Sequence, residues 1–207
     1  MKPGNAAVYI HGKGGSAEEA EHYRMLFPKS EVIGYDYSSQ TPWEAAVEFP
    51  DYFRSLKKEF DSVTIIANSI GAFFALHSLY SFPMEKAFFI SPVVDMEQII
   101  TDIMRRSNVS EADLTDKSII ETANGETLSM EYLAWVRQHP ITWNVPTAIL
   151  YGSQDNLQCF EVIRAFADQT GADVTVMENG EHWFHTKEQM TFLDEWIRKS
   201  QNLSDSE

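Results

Sequence analysis

Six short apolar runs, each followed by a segment of helical character, constrain this chain more than any other feature. They span 6–10, 31–37, 62–67, 86–90, 147–151 and 172–177, the second being the weakest. Val, Ile and Phe dominate them, and both alternating faces are apolar. A strand with one wet face would alternate polar and apolar residues; strands apolar on both faces belong inside a parallel sheet covered by helices. The alternation therefore predicts an α/β protein, a doubly wound, mainly parallel sheet of about six strands.

Helix signals fill the gaps. Thr41-Pro42-Trp43-Glu44 is a start signal, with a cap, a proline in the first helical position and a glutamate able to reach back. That helix is expected to run toward Phe60 and to kink or split at Pro50, which lacks the N–H a helix interior needs. Further helices are expected over 70–80, over 160–169 with a stop at Gly171, and over 186–199, where Met190, Leu193, Trp196 and Ile197 share one face. The tail from Ser200 is expected to fray.

With 207 residues, the chain is long enough for one domain with a full core. The stretch 93–145 breaks the strand–helix alternation. It places Met96, Ile100 and Met104 at helical spacing, then an Asn124-Gly125 turn, then a helical 131–138. It reads as a small helical lid inserted into a single domain spanning 1–207, able to exclude water and select substrate. No signal-peptide pattern opens the chain and no apolar run approaches the ~20 residues of a membrane helix. The single cysteine, Cys159, rules out an internal disulfide and favours a cytoplasmic setting. A net charge of −15 disfavours nucleic acid and anionic membrane as partners, since both are polyanions.

Polar residues gather just after the apolar runs: His11-Gly12 after the first, Ser69 after the third, Asp95 after the fourth, Asp155 after the fifth and His182 after the sixth. In an open parallel sheet those strand ends share one edge, where ligands bind. Ser69 lies between a strand and a helix in Ala67-Asn68-Ser69-Ile70-Gly71, with small residues two before and two after it. That is the pattern of a tight turn that thrusts one side chain outward.

Taken together, His11-Gly12-Lys13-Gly14-Gly15, Ala67-Asn68-Ser69-Ile70-Gly71, Tyr151-Gly152-Ser153-Gln154-Asp155 and Gly180-Glu181-His182-Trp183 resemble the α/β-hydrolase superfamily over nearly the whole chain. The order Ser, Asp, His is that family's order. Ala67 departs from the commoner glycine. The chain also begins at what corresponds to the family's third strand, so the resemblance implies a sheet lacking the first hairpin. It implies a serine hydrolase acting on a small or medium ester, thioester or amide, with Ser69, Asp155 and His182 as the catalytic triad. It further implies that the backbone N–H groups of Lys13 and Ile70 bind the oxyanion.

The chemistry supports each role. A serine hydroxyl needs an adjacent base, a neutral imidazole can take and return its proton, and a carboxylate can hold that imidazole in the right tautomer. His185 competes as base and Asp95 as acid. Met96, Ile100, Met104, Trp135 and Trp143 are candidates to line an acyl pocket, and equally candidates for core. The expected partner is a small-molecule acyl substrate. No cofactor and no metal is expected: His182 and His185 lack further ligands at metal spacing, and Gly12-Lys13-Gly14-Gly15-Ser16 lacks the spacing of a phosphate loop. A noncatalytic binding module would be expected to have lost a triad member, whereas an acyltransferase would share the site and the first half-reaction.

Overall fold

The six apolar runs form one fully parallel sheet, arranged across it in the order second, first, third, fourth, fifth and sixth run. In this computed structural model, which describes residues 4–202, the strands are β1 (Asn5–Ile10), β2 (Ser30–Tyr35), β3 (Ser62–Asn68), β4 (Lys86–Ile90), β7 (Thr147–Gly152) and β8 (Asp173–Met177). The sheet helices are α1 (Pro42–Glu59), α2 (Ile70–Ser78), α6 (Phe160–Thr170) and α7 (Lys187–Asn202). Strand order reverses between β1 and β3; α1 and α2 cover the face that carries Tyr35, and α7 covers the opposite face with Tyr9, Ile66 and Phe88.

Register explains the two-sided apolar pattern. Tyr9 pairs with Ile66, Ile66 with Phe88 and Phe88 with Ala148, which makes one continuous row across the sheet. That row joins a cluster with Tyr23, Phe27, Leu193, Trp196 and Ile197. Phe88 meets Phe27 and Trp196 edge-on, at ring separations of 5.5 and 5.8 Å. Burying one such side chain contributes about 1.5–3 kcal/mol. Elsewhere in the core α1 packs on α2 through Phe49 and Phe74, and the β2 residue Tyr35 stacks on Tyr52 with ring centroids 4.0 Å apart.

Two helix expectations are corrected. Pro50 neither splits nor ends α1, which runs unbroken for 18 residues. The lost bond to the Ala46 carbonyl is outweighed by a complete capping box between Thr41 and Glu44 and by the buried face of Ala45, Phe49, Phe53 and Leu56. At the other end α7 continues past Ser200. Lys86 Nζ donates to the Ser200 carbonyl at 2.5 Å and Gln201 Nε2 to the Leu26 carbonyl at 3.0 Å, so the last turn is tied to the sheet side. Residues 203–207 of the expected tail lie outside the described residues.

The described chain divides into two compact units, one comprising residues up to Val94 with those from Thr142 onward, the other Asp95–Ile141. The second unit holds α3 (Met96–Arg106), α4 (Glu111–Lys117), α5 (Met130–Gln138) and an antiparallel hairpin of β5 (Ile119–Glu121) and β6 (Thr127–Ser129). It has its own apolar cluster of Ile100, Met104, Leu114, Leu128 and Leu133. Arg137 bridges Glu97 and Glu111 on its surface, but half-exposed ion pairs contribute little, about 0–1 kcal/mol, and the apolar cluster holds the unit. No described helix is long and apolar enough to cross a membrane.

Candidate active site

Ser69 stands in the one-residue turn between β3 and α2, with φ 52° and ψ −120°. A positive φ in a residue with a side chain costs about 1–3 kcal/mol and persists only where the surroundings enforce it. They do so here through three backbone bonds. The Ser69 N–H donates to the Ile90 carbonyl, and its own carbonyl accepts from the N–H groups of Ala72 and Val93, each at 3.1 Å. The end of β4 therefore clamps the turn from the side.

Gly71 shows why the turn needs a small residue. A methyl group there would lie 2.4 Å from the His11 carbonyl oxygen and 2.8 Å from that of Ile10. The crowding comes from the end of β1 rather than from Ala67, which is itself buried in β3 beside Ile10 and Phe89. Alanine is thus accommodated at 67 and would not be at 71. Gly71→Ala is expected to destabilise the fold by about 1–3 kcal/mol, the range for overpacking against atoms that cannot yield. A lowered denaturant midpoint at unchanged m-value is the check, and an unchanged midpoint would mean that β1 gives way.

His182 and Asp155 come from the two loops after β7 and β8, which lie backbone against backbone. A methyl group on Gly152 would sit 2.4 Å from the Gly180 carbonyl oxygen. Gln154 N–H donates to that same carbonyl at 2.8 Å, and Asn179 N–H donates to Ser153 Oγ at 2.8 Å. This close approach places residues 27 positions apart side by side: His182 Nδ1–H donates to Asp155 Oδ2 at 2.7 Å. The other oxygen, Asp155 Oδ1, accepts from the N–H groups of Leu157 at 2.8 Å and Gln158 at 3.2 Å. The Asp155 side chain is 1% exposed and that of His182 is 21% exposed.

With its Nδ1 proton committed to the carboxylate, the imidazole presents a bare Nε2, and the Ser69 hydroxyl donates to it at 2.9 Å. The three side chains form one continuous hydrogen-bonded chain. The competing residues are engaged elsewhere. His185 Nδ1–H donates to the Trp183 carbonyl at 2.7 Å, and its ring stacks on the Trp183 indole 4.4 Å away. Asp95 caps α3 by accepting from the Gln98 N–H at 2.8 Å.

Lys13 and Gly14 form the corner of a turn closed by the Gly15 N–H donating to the Gly12 carbonyl at 3.1 Å. Gly14 takes φ 77°, the third-position requirement of a type II turn. Gly12 lies against the Ser69 turn, since a methyl group on it would be 3.2 Å from Ser69 Cβ. Ile70 opens α2, so its N–H precedes the intrahelical ladder and has no helical acceptor.

The five apolar candidates are placed differently. Ile100 and Met104 are buried in the second unit's own cluster, with Met96 packed against it, and Trp135 stacks on His139 with ring centroids 4.1 Å apart. Trp143 is buried in the sheet unit, where its Nε1–H donates to Thr147 Oγ1 at 2.8 Å and its ring leans on Phe89. Sequence reasoning missed two residues that shape the site. Gln158, buried in the loop after β7, accepts from the Val94 N–H at 2.7 Å through Oε1, while its backbone carbonyl accepts from Tyr151 Oη–H at 3.0 Å. Tyr37 holds the His11 loop. Neither carries a sequence signal, because a loop glutamine and a strand-end tyrosine are ordinary on solvated surfaces. Among the described residues no group of three or more His, Cys, Asp or Glu side chains is placed to hold a metal ion.

No family model matches this chain, and no curated protein does. Solved structures do. Est1E from Butyrivibrio proteoclasticus superposes with a TM-score of 0.75 over 100% of this chain and 90% of its own, at 15% identity. Alpha/beta hydrolase domain-containing protein 10 from mouse gives 0.70 over 97% and 89%, at 17% identity. An esterase from Pyrococcus furiosus gives 0.63 over 96% and 80%, at 16% identity. The chain has the α/β-hydrolase fold.

Proposed function

We propose that this protein is a serine hydrolase that cleaves a small or medium carboxylic ester, thioester or amide through an acyl-enzyme intermediate. One observation carries the reading, the unbroken path from Ser69 Oγ through His182 to Asp155. The shared fold with esterases supports it.

In this mechanism Ser69 Oγ attacks the acyl carbon as its proton passes to His182 Nε2. The carbonyl oxygen gains negative charge and is held by the N–H groups of Lys13 and Ile70, fixed dipoles that need no reorganisation. Asp155 stabilises the imidazolium so formed. Collapse of the tetrahedral species breaks the bond to the leaving group, which takes the proton from Nε2. Water then attacks the acyl-serine by the same steps, releasing the carboxylic acid and restoring the hydroxyl. The hydroxyl, the imidazole and the backbone donors together supply nucleophile, proton transfer and charge stabilisation, so the reaction requires no cofactor.

A fluorophosphonate should add one phosphonyl group to the protein, mapped by peptide mass to Ser69. p-Nitrophenyl acetate should give a burst of nitrophenolate approaching one equivalent before the steady state. Labelling at another residue, or none, overturns the assignment and favours a binding module.

A further inference from the structure

The Lys13 N–H belongs to the same peptide group as the Gly12 carbonyl. In a trans peptide the two point in opposite directions, so whatever fixes the oxygen also aims the hydrogen. The Gly12 oxygen has two donors. One is the Gly15 N–H that closes the turn, at 3.1 Å. The other is the imidazole of His11, whose Nδ1 lies 2.9 Å from it. A carbonyl oxygen only accepts, so His11 Nδ1 carries the proton, as it can in either the neutral or the charged ring.

His11 is itself held twice by Tyr37. The two rings stack with centroids 4.3 Å apart and planes 14° from parallel. Tyr37 Oη–H donates to the His11 carbonyl at 2.8 Å. That carbonyl is also the atom that crowds Gly71, so it is pinned between the phenol and the nucleophile turn. Tyr37 is in turn wedged edge-on between Phe49 and Phe74, at 5.3 and 5.9 Å.

We infer that Tyr37 and His11 are positioning residues that fix and polarise the Gly12–Lys13 peptide, and thereby aim the Lys13 N–H at the developing oxyanion. This rests on the acyl-transfer reading above and adds the side chains that orient its charge-stabilising donor. Burial, reinforced by the nearby Glu48 carboxylate, pushes the Tyr37 phenol well above the ordinary tyrosine range, so the donor to the His11 carbonyl stays protonated.

The test is steady-state hydrolysis of p-nitrophenyl acetate with inhibition by phenylboronic acid, which forms a tetrahedral adduct on an activated serine. His11→Phe keeps a stacking ring and loses the Nδ1 donor; His11→Asn keeps a donor close to the Nδ1 position. Tyr37→Phe keeps the stack and loses the donor to the His11 carbonyl. Complete loss of an oxyanion donor costs about 10²–10³-fold in kcat, so mis-aiming one is expected to cost roughly 10-fold. His11→Phe and Tyr37→Phe should each show that fall in kcat with KM within about twofold, and a parallel weakening of boronic-acid inhibition. His11→Asn should recover most of kcat.

If kcat stays within twofold of wild type in both His11→Phe and Tyr37→Phe, the inference is overturned. It is equally overturned if His11→Asn is as damaged as His11→Phe, or if KM rises while kcat holds. If His11→Phe does not fold, Tyr37→Phe alone decides by the same kcat and inhibition criteria. Fluorophosphonate labelling of the unaltered protein separates the two failures. Labelling at Ser69 with indifferent His11 and Tyr37 variants sinks this inference alone; absence of labelling sinks the hydrolase reading beneath it.

Discussion

Ser69→Ala and His182→Ala should each lower kcat on an accepted ester by about 10⁶-fold, the scale on which a nucleophile or its base is lost. In the proposed mechanism the two residues act as one unit, because the 2.9 Å hydrogen bond between them disappears when either is removed. The double variant should therefore be no worse than the singles, and a multiplicative loss would show that the two act separately. His185→Ala is the control. Its ring is occupied by the Trp183 carbonyl and indole, and its loss should change kcat by less than about threefold, as for a surface change away from the reacting atoms. Should His185→Ala prove the crippling change, with His182→Ala active and folded, the proton path read from the geometry is wrong.

Asp155→Asn should lower kcat by about 10⁴-fold while leaving the protein folded. The reason lies in how both carboxylate oxygens are used. Oδ1 accepts from two backbone N–H groups, and Oδ2 accepts from His182 Nδ1–H. An asparagine must turn its one oxygen toward the two backbone donors, which leaves its NH₂ facing Nδ1. The imidazole then accepts at Nδ1, carries its proton on Nε2, and has no lone pair to offer Ser69. The opposite flip would set the NH₂ against two N–H donors in a nearly water-free pocket. Asp95→Asn should cost far less, since asparagine caps a helix about as well as aspartate. Steady-state kinetics and far-UV circular dichroism on the two variants decide the matter. An active Asp155→Asn beside an inactive Asp95→Asn would move the acid to the segment after β4.

Much of this is legible in the sequence. A two-sided apolar run has no wet face, so it must lie inside a covered sheet, and six such runs separated by helical segments leave few topologies. The turn at Ser69 was legible for a similar reason: a serine between strand and helix, with small residues flanking it, has few conformations open to it. Once the strand ends share an edge, residues as distant as Ser69 and His182 can meet, and their chain order narrows the roles further.

What stayed hidden depends on contacts rather than on pattern. Pro50 signals a helix break locally, yet the buried face of α1 and its capping box carry the helix through, a tertiary outcome that no propensity contains. The demand for glycine at 71 comes from the carbonyls of Ile10 and His11, sixty residues upstream in the chain, rather than from its neighbour Ala67. Ile100, Met104 and Trp143 have the composition of a pocket wall and of a core alike, and only packing distinguishes them. Tyr37 and Gln158 matter through hydrogen bonds and a ring stack with residues distant in the chain, and such contacts have no periodicity to read. The sequence alone determined the sheet, the helices around it and the residue types gathered at its edge, because hydrophobic pattern and turn chemistry are local. Which histidine faces the serine, which aspartate holds that histidine and what aims the Lys13 N–H were decided only in three dimensions, because each depends on distances of about 3 Å between atoms far apart along the chain.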